Sequence, residues 1–301
     1  MTKRVLIAGG SGMIGQALAQ ELRADGWEVH TLSRNTDRAT TDSHVHAWQP
    51  GQQLDLDALG GFAAIVNLAG SSISRMPWTA KRRADILDSR IAATTTLVDA
   101  MVRAQKPPAT FVSGSAVGFY GSRGDETLTE QSAPGNGFLA DVCRAWEDAA
   151  FAAPKRVRVA VIRTGLVLAG RGALSPLRLL TRFGVAGPLA GGRAWWPWVS
   201  LRDEARAIVH ILNSRLSGPV NIVAPAEATS ATVMRSLASA LRRPFWLPAP
   251  GWAIRLLLGR AGNELLLASQ RVHSTVLEAD GFVFTSATVD AAIAEALAQR
   301  N

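Results

Sequence analysis

The stretch V-L-I-A-G-G-S-G-M-I-G, residues 5–15, decides the fold. Its first four residues suit a short buried strand, and the glycines that follow break the apolar run. Gly9, Gly12 and Gly15 are spaced G-x-x-G-x-x-G, and a helical pattern begins behind them. The first glycine permits a tight turn, the second lets backbone approach a pyrophosphate, and the third allows close helix–strand packing. A helix starting there presents free N–H groups and its positive dipole end to an anion. Residues Gly9, Gly10, Ser11, Gly12, Met13, Ile14 and Gly15 are therefore expected to cradle dinucleotide phosphates.

Working outward, short apolar runs alternate with helical patterns. Strands are expected at 5–9, 28–32, 63–70, 109–115 and 158–168, with helices running to Arg23 and over roughly 78–104. Val- and Ile-rich strands separated by helices predict a Rossmann-like, doubly wound parallel sheet covered on both faces. A polar stretch reaches to about residue 53. Past residue 165 the pattern loosens into Gly- and Pro-rich segments holding Trp195, Trp196 and Trp198. A helix over 200–216 and a strand over 219–224 follow, and the tail from about 229 reads as mostly helical. The expected organisation is an NADP-binding domain over 1–228, with a substrate-lobe insertion at about 166–199. A small helical C-terminal substrate lobe completes it over 229–301.

Composition narrows the class. Hydrophobic residues make up 48% and charged ones 19% of 301 residues, a globular balance. No segment approaches the ~20 uninterrupted apolar residues that span a bilayer. A single cysteine, Cys143, excludes an internal disulfide and fits a reducing compartment, so a cytoplasmic protein without membrane contact is expected. The net charge of +8 comes mostly from scattered arginines, with no dense basic block or aromatic interleaving, which argues against nucleic acid as a partner. The histidines are dispersed along the chain, and no grouping has metal-ligand spacing, so no metal is expected. Monomer and homodimer are both open.

Cofactor choice is read at the end of the second strand. NAD binders usually place Asp or Glu there for the ribose 2′-hydroxyl. This chain has Ser33 and Arg34, with Arg38 one turn later. A guanidinium pairs with a 2′-phosphate through two charge-assisted hydrogen bonds, so NADP is expected over NAD. Leu68, Ala69 and Gly70 end the next strand and leave room for the adenine side. Arg90, on the long helix, is a candidate to hold a cofactor phosphate or an anionic substrate.

These motifs resemble the extended short-chain dehydrogenase/reductases. The segments W-T-A-K-R-R-A-D-I-L-D-S-R-I-A-A-T (78–94), S-A-V-G-F-Y-G (115–121) and G-F-L-A-D-V-C-R-A-W-E (137–147) narrow the match. So do W-P-W-V-S-L-R-D (196–203), P-F-W-L-P-A-P (244–250) and N-E-L-L-L-A-S-Q-R-V (263–272). Together they are similar to one atypical branch, an NAD(P)-dependent epimerase family once labelled a cell-division inhibitor, with a C-terminal domain of unknown function. The resemblance covers essentially the whole chain. It implies NADP binding and leaves the substrate and reaction undefined.

The resemblance also exposes a gap. Typical relatives use a serine to orient the substrate oxygen, a tyrosine to transfer its proton, and a lysine to lower the tyrosine's pKa. Ser115 ends the strand where the serine belongs. In the helix carrying Y-x-x-x-K, counting back from Glu147 puts Leu139 at the tyrosine position and Cys143 at the lysine position. Neither side chain replaces its counterpart. Phe138, Cys143 and Trp146 are expected to pack, and Arg163 to pair with a buried carboxylate. Tyr120, the only tyrosine, follows Ser115 and is expected at the rim of the nicotinamide pocket as a substitute acid. Two readings stay open: an oxidoreductase or epimerase of atypical mechanism on an unidentified small molecule, and a non-catalytic NADP(H)-binding protein that regulates partner contacts.

Overall fold

A computed structural model describes residues 3–298; the side chains of Thr36, Arg38 and Ala39 lie outside the described set. The first half runs β1 (Arg4–Ala8), α1 (Met13–Ala24), β2 (Glu28–Ser33), α2 (Thr36–Thr41), β3 (Val45–Ala47), β4 (Ala64–Asn67), α3 (Ala80–Arg103) and β5 (Thr110–Ala116). A 3-10 turn (Val117–Tyr120) leads through β6 (Thr127–Leu128) to α4 (Phe138–Phe151) and β7 (Arg158–Thr164). Then come β8 (Leu166–Leu168), α5 (Leu174–Arg182), β9 (Trp198–Ser200), α6 (Leu201–Asn213) and β10 (Gly218–Ile222). The tail holds α7 (Ser230–Ala240), α8 (Gly251–Gly262), a π-helical turn (Asn263–Leu267), β11 (Arg271–Val272), α9 (Thr275–Ala279) and α10 (Val289–Ala298).

Seven strands form one parallel sheet in the order β10-β7-β5-β4-β1-β2-β3. The chain leaves β1 toward β2 and β3, then returns to β4 on the other side of β1. That reversal is the switch point at which open α/β sheets bind ligands. Ala8 pairs with both Leu32 and Asn67, and Asn67 pairs with Ser113. The glycine loop, the end of β2 and the end of β5 therefore open on one edge of the sheet.

Both faces are covered. On one, Val5, Ile7, Val112 and Ile162 pack under α1 and α6 through Leu18, Leu22, Ile208 and Ile211. On the other, Leu6, Ile65, Phe111 and Val161 meet α3 through Leu97 and Met101, and α4 through Ala150. Strands buried on both sides read as unbroken apolar runs, which is why β1 and β4 stand out in the sequence.

The structure departs from expectation in two places. The polar stretch before residue 53 contains the short α2 and the edge strand β3, which are too brief to leave a period. The strand expected over 158–168 is interrupted at Gly165. There a Cβ would lie 2.8 Å from the Pro197 carbonyl oxygen, and Leu166 N–H donates to that oxygen at 2.7 Å. The chain turns away, and β8 pairs with β9 outside the main sheet. Beyond that break Leu168, Leu174, Trp196 and Trp198 pack with Val233, Leu237, Val289 and Ile293 into a separate apolar cluster under the helical tail. Two of the three tryptophans are thus core residues. Among the described residues, no helix is long and apolar enough to cross a membrane.

At the start of α6 the burial is costly. Ser200 caps the helix, accepting from Asp203 N–H at 3.0 Å, and Asp203 in turn accepts from Thr285 and Ser286 N–H. Its neighbour Glu204 is fully buried; among the described residues only Thr164 Oγ1 donates to it, at 2.7 Å, and Oε2 has no partner. Burial pushes the Glu204 carboxyl up to about 8. The folded state therefore holds a proton that the unfolded chain releases near 4.5, so stability falls as pH rises from there toward 8. Glu204→Gln removes this titration. In thermal melts across pH 4.5–8 the wild type should lose stability more steeply than the variant; parallel curves would contradict the assignment.

Candidate functional site

The glycine loop has no room for side chains. Gly9 sits at φ +86°, and a Cβ there would lie 2.7 Å from the Leu68 carbonyl carbon and oxygen. At Gly15 a Cβ would collide with the Gly9 carbonyl oxygen and lie 2.7 Å from Gly10 Cα. One at Gly10 would meet Thr31 Cγ2 at 2.6 Å. The loop is held by Gly12 N–H donating to the Gly9 carbonyl at 2.9 Å. Gly12 is the N-cap of α1 and brings no side chain to its first turn. Ser11 is exposed, and Met13 and Ile14 are half-buried at the helix start. Close-approach backbone ahead of an uncapped twelve-residue helix fits a pyrophosphate.

At the end of β2, Ser33 Oγ accepts from Asn35 N–H at 3.1 Å and shapes the turn. Arg34 is exposed and has no hydrogen bond or ion pair among the described residues. Arg38 lies in α2, with its side chain outside the described set. Across the switch point Asn67 is buried, donating to Thr94 Oγ1 at 2.9 Å and accepting from Ala69 N–H at 3.2 Å. This anchors the half-buried Leu68 and Ala69 and the exposed Gly70. A Cβ on Gly70 would touch the Arg90 side chain at 3.2 Å. Arg90 spends Nη1 on the Ser71 and Ile86 carbonyls, at 3.0 and 2.9 Å, and its guanidinium lies 5.0 Å from the Trp146 ring centre.

Ser115 stands at the end of β5, 6% exposed, and its hydroxyl donates to Glu147 Oε1 at 2.6 Å. Glu147 is clamped by Arg163, Nε to Oε1 at 2.9 Å and Nη2 to Oε2 at 2.8 Å, with both side chains buried. Arg163 Nη1 donates to the Tyr120 hydroxyl at 3.0 Å and to the Glu130 carbonyl at 3.2 Å. Its guanidinium lies 3.5 Å from the Phe119 ring centre. Against its desolvation, Glu147 and Tyr120 raise the Arg163 pKa.

The rim position expected for Tyr120 is not observed. Its side chain is 0% exposed, and its hydroxyl donates to Asn221 Oδ1 at 2.7 Å while accepting from Arg163. Burial pushes the phenol above its ordinary range. Two features draw the ring inward: the tight 3-10 turn after Ser115 and the buried guanidinium awaiting an acceptor. Glu130 is buried as well and accepts from Asn221 and Val276 N–H and from Thr275 Oγ1. Asp125 holds Trp195 Nε1 at 2.7 Å.

On α4, Cys143 is buried, and its Sγ lies 3.8 Å from where a Cβ on Gly118 would be. Leu139 packs on the same glycine, 3.3 Å from where its Cβ would be. Phe138 meets Trp78 edge-on at 5.5 Å, and Trp146 is buried. The packing expected of this helix is what the structure contains. Its first turn is capped from far along the chain: Glu264, in the π-helical turn, accepts from Phe138 and Leu139 N–H at 3.1 and 2.7 Å. Carboxylates 125 or more residues away leave no local signal, so this cap is invisible in the sequence.

The histidines are not all dispersed in space. Glu28, His30 and His44 bring ligand atoms within 4.8 Å of one another at the outer part of β2, and His30 Nδ1 lies 2.9 Å from His46 Nε2. Arg4 already reaches into this group, 3.2 Å from Glu28 Oε1 and 3.3 Å from His30 Nε2.

Comparison with known proteins agrees with this geometry. Residues 5–223 match the family described as NAD dependent epimerase/dehydratase, and residues 249–296 match a domain of unknown function, DUF1731. Epimerase family protein ML0860 of Mycobacterium leprae is 38% identical over 97% of this chain and 95% of its own. The crystal structure of human epimerase family protein SDR39U1 with NADPH superposes with a TM-score of 0.89 at 30% identity, covering 99% of this chain and all of that one. A nucleoside-diphosphate sugar epimerase from Corynebacterium glutamicum has a TM-score of 0.79 at 34% identity, covering 99% of this chain and 58% of that one.

Desolvation and the nearby Glu147 push the Cys143 thiol up to about 11. A native sample at pH 7–8 should resist a thiol-reactive disulfide reagent and release one equivalent only after denaturation. Rapid stoichiometric labelling of the folded protein would contradict this.

Proposed function

The chain belongs to the NAD dependent epimerase/dehydratase family, and from that premise we propose an NADP(H)-binding oxidoreductase or epimerase that works without the usual tyrosine–lysine pair. Its substrate is a small molecule. The observation that carries this reading is the glycine cradle, where three positions exclude a Cβ in front of an uncapped helix. Gly9 to Gly15 hold the pyrophosphate, and Leu68 to Gly70 line the adenine side. Arg34, unpaired at the end of β2, takes the 2′-phosphate, with Arg38 beside it in sequence. Arg90 keeps Nε and Nη2 to offer to the cofactor. That a human relative was solved with NADPH supports the choice of phosphate.

When bound, the nicotinamide supplies or accepts a hydride. Ser115 meets the substrate oxygen. Its hydrogen is committed to Glu147, so its oxygen accepts, which selects a substrate hydroxyl at that point. Leu139 and Cys143 contribute an apolar wall that excludes water from the site. Tyr120 has no proton-transfer role, because its hydroxyl is spent inside the protein.

The same wall favours a second reading, occupancy by NADP(H) without turnover. Hydride transfer across a panel of carbonyl and nucleotide-sugar substrates separates the two. Turnover that Ser115→Ala abolishes, with NADPH binding retained, is the expected result; turnover unaffected by Ser115→Ala would remove that residue's role. A protein that binds NADPH and transfers no hydride to any of the panel would favour the second reading. Cofactor choice is tested separately. Arg34→Ala should weaken NADPH about tenfold or more and leave NADH nearly unchanged, because one bidentate phosphate contact is lost. Equal weakening of both in a calorimetric titration would contradict the assignment.

A further inference from the structure

The chain's net positive charge is matched by the arginines of two acid-free stretches. Residues 171–201 and 228–263 contain nine arginines and no aspartate or glutamate. Of 32 basic and 24 acidic residues overall, that leaves 23 and 24 for the rest of the chain, a net charge of −1. The whole excess of +8 is therefore carried by these two stretches. None of the nine arginines forms an ion pair among the described residues.

The same stretches expose large apolar side chains. Phe183, Trp246, Trp252, Leu256 and Leu257 are between 64% and 80% exposed, and Leu179 and Leu180 are at least half exposed. They belong to one surface. Trp246 and Leu247 N–H both donate to the Ala186 carbonyl, and the Trp246 indole donates to the Gly184 carbonyl at 3.1 Å. Ala190 N–H donates to the Ala249 carbonyl, which sets the start of α8 beside the 184–190 loop. On α8, Trp252 and Leu256 are four residues apart and Leu257 adjoins them, so they share the outer face, while Ile254 and Ala261 point inward. On the other side Leu179, Leu180 and Phe183 follow the same spacing, interleaved with Arg178 and Arg182.

We propose that this face, α8 with the segment after α5 and the 244–250 strap, docks peripherally on an anionic lipid bilayer. Large exposed apolar patches mark contact surfaces. The combination of Trp, Phe and Leu with unpaired arginines and no carboxylate suits the interfacial zone of a negatively charged membrane. Trp246 and Trp252 would sit at headgroup level, where amphipathic indoles settle. Leu256, Leu257 and Phe183 would enter the acyl boundary. A second copy of this chain is the poorer occupant, since it would set arginine-bearing segments that contain no carboxylate against each other. Contact of this kind needs no spanning helix, so it is compatible with the absence of one among the described residues.

The test is flotation of the full chain with phosphatidylcholine vesicles, alone or with roughly one lipid in three replaced by phosphatidylglycerol. Binding should require the anionic lipid and fall as salt is raised. The variant Trp252→Ser/Leu256→Ser/Leu257→Ser should bind at least about tenfold more weakly while keeping the wild-type melting temperature and NADPH affinity. A control at an exposed apolar residue elsewhere, Val102→Ser, should bind as wild type. Absence of binding to anionic vesicles would overturn the proposal, as would binding that the triple variant retains. A dimer in sedimentation that the triple variant dissociates would assign the face to self-association instead. Capture of an acidic polypeptide in preference to the vesicles, with the same dependence on the three residues, would assign it to a protein partner.

Discussion

The end of the sheet that carries Ser115 is organised around one buried guanidinium. Arg163 projects from β7 with its charge fully committed: two bonds to Glu147 on α4, one to Tyr120 in the turn after β5, and one to the Glu130 carbonyl. A buried charge is tolerated only when paired and hydrogen-bonded on every side, and removing one partner of such a pair is far costlier than the pair's net worth. The requirement propagates. Glu147 receives the Ser115 proton, Tyr120 reaches Asn221 on β10, and Asn221 Nδ2 reaches the His273 carbonyl beside β11 at 2.8 Å. Glu130 ties the same region to the start of α9. One ion pair thereby fixes α4, the end of β5, β10 and the C-terminal tail relative to each other.

This arrangement explains how a complete dinucleotide cradle coexists with a missing proton relay. The cradle depends on backbone approach, and nothing on α4 enters it. The face of α4 that carries tyrosine and lysine in typical relatives serves packing in this chain. Leu139 and Cys143 sit on Gly118, and Glu264 closes the helix N-terminus from the tail.

Features that depend on local geometry are legible in the sequence. The glycine spacing at 9–15 states its own steric reason, and the parallel sheet follows from apolar runs of strand length between helices. The packing of Phe138, Cys143 and Trp146 and the pairing of Arg163 with a buried carboxylate are readable from residue chemistry. Features that depend on distant partners are hidden. Ser115 meets Glu147 across 32 residues, and Tyr120 meets Asn221 across 101, which turns an expected rim tyrosine into a core one. The convergence of Glu28, His30 and His44 follows from β2 lying beside β3, an edge strand too short to be foreseen. The break at Gly165 requires knowing that Pro197 occupies the space beside it.

If Arg163 and Glu147 form the structural centre that replaces a proton relay, a double-mutant cycle read by chemical denaturation measures it directly. Arg163→Met and Glu147→Gln should each destabilise the protein by about 3–5 kcal/mol, since each leaves a buried polar partner unmet. The double substitution should cost less than the two combined, with a coupling of at least ~1 kcal/mol. Single variants as stable as the wild type, or strictly additive losses, would contradict a structural centre at this pair.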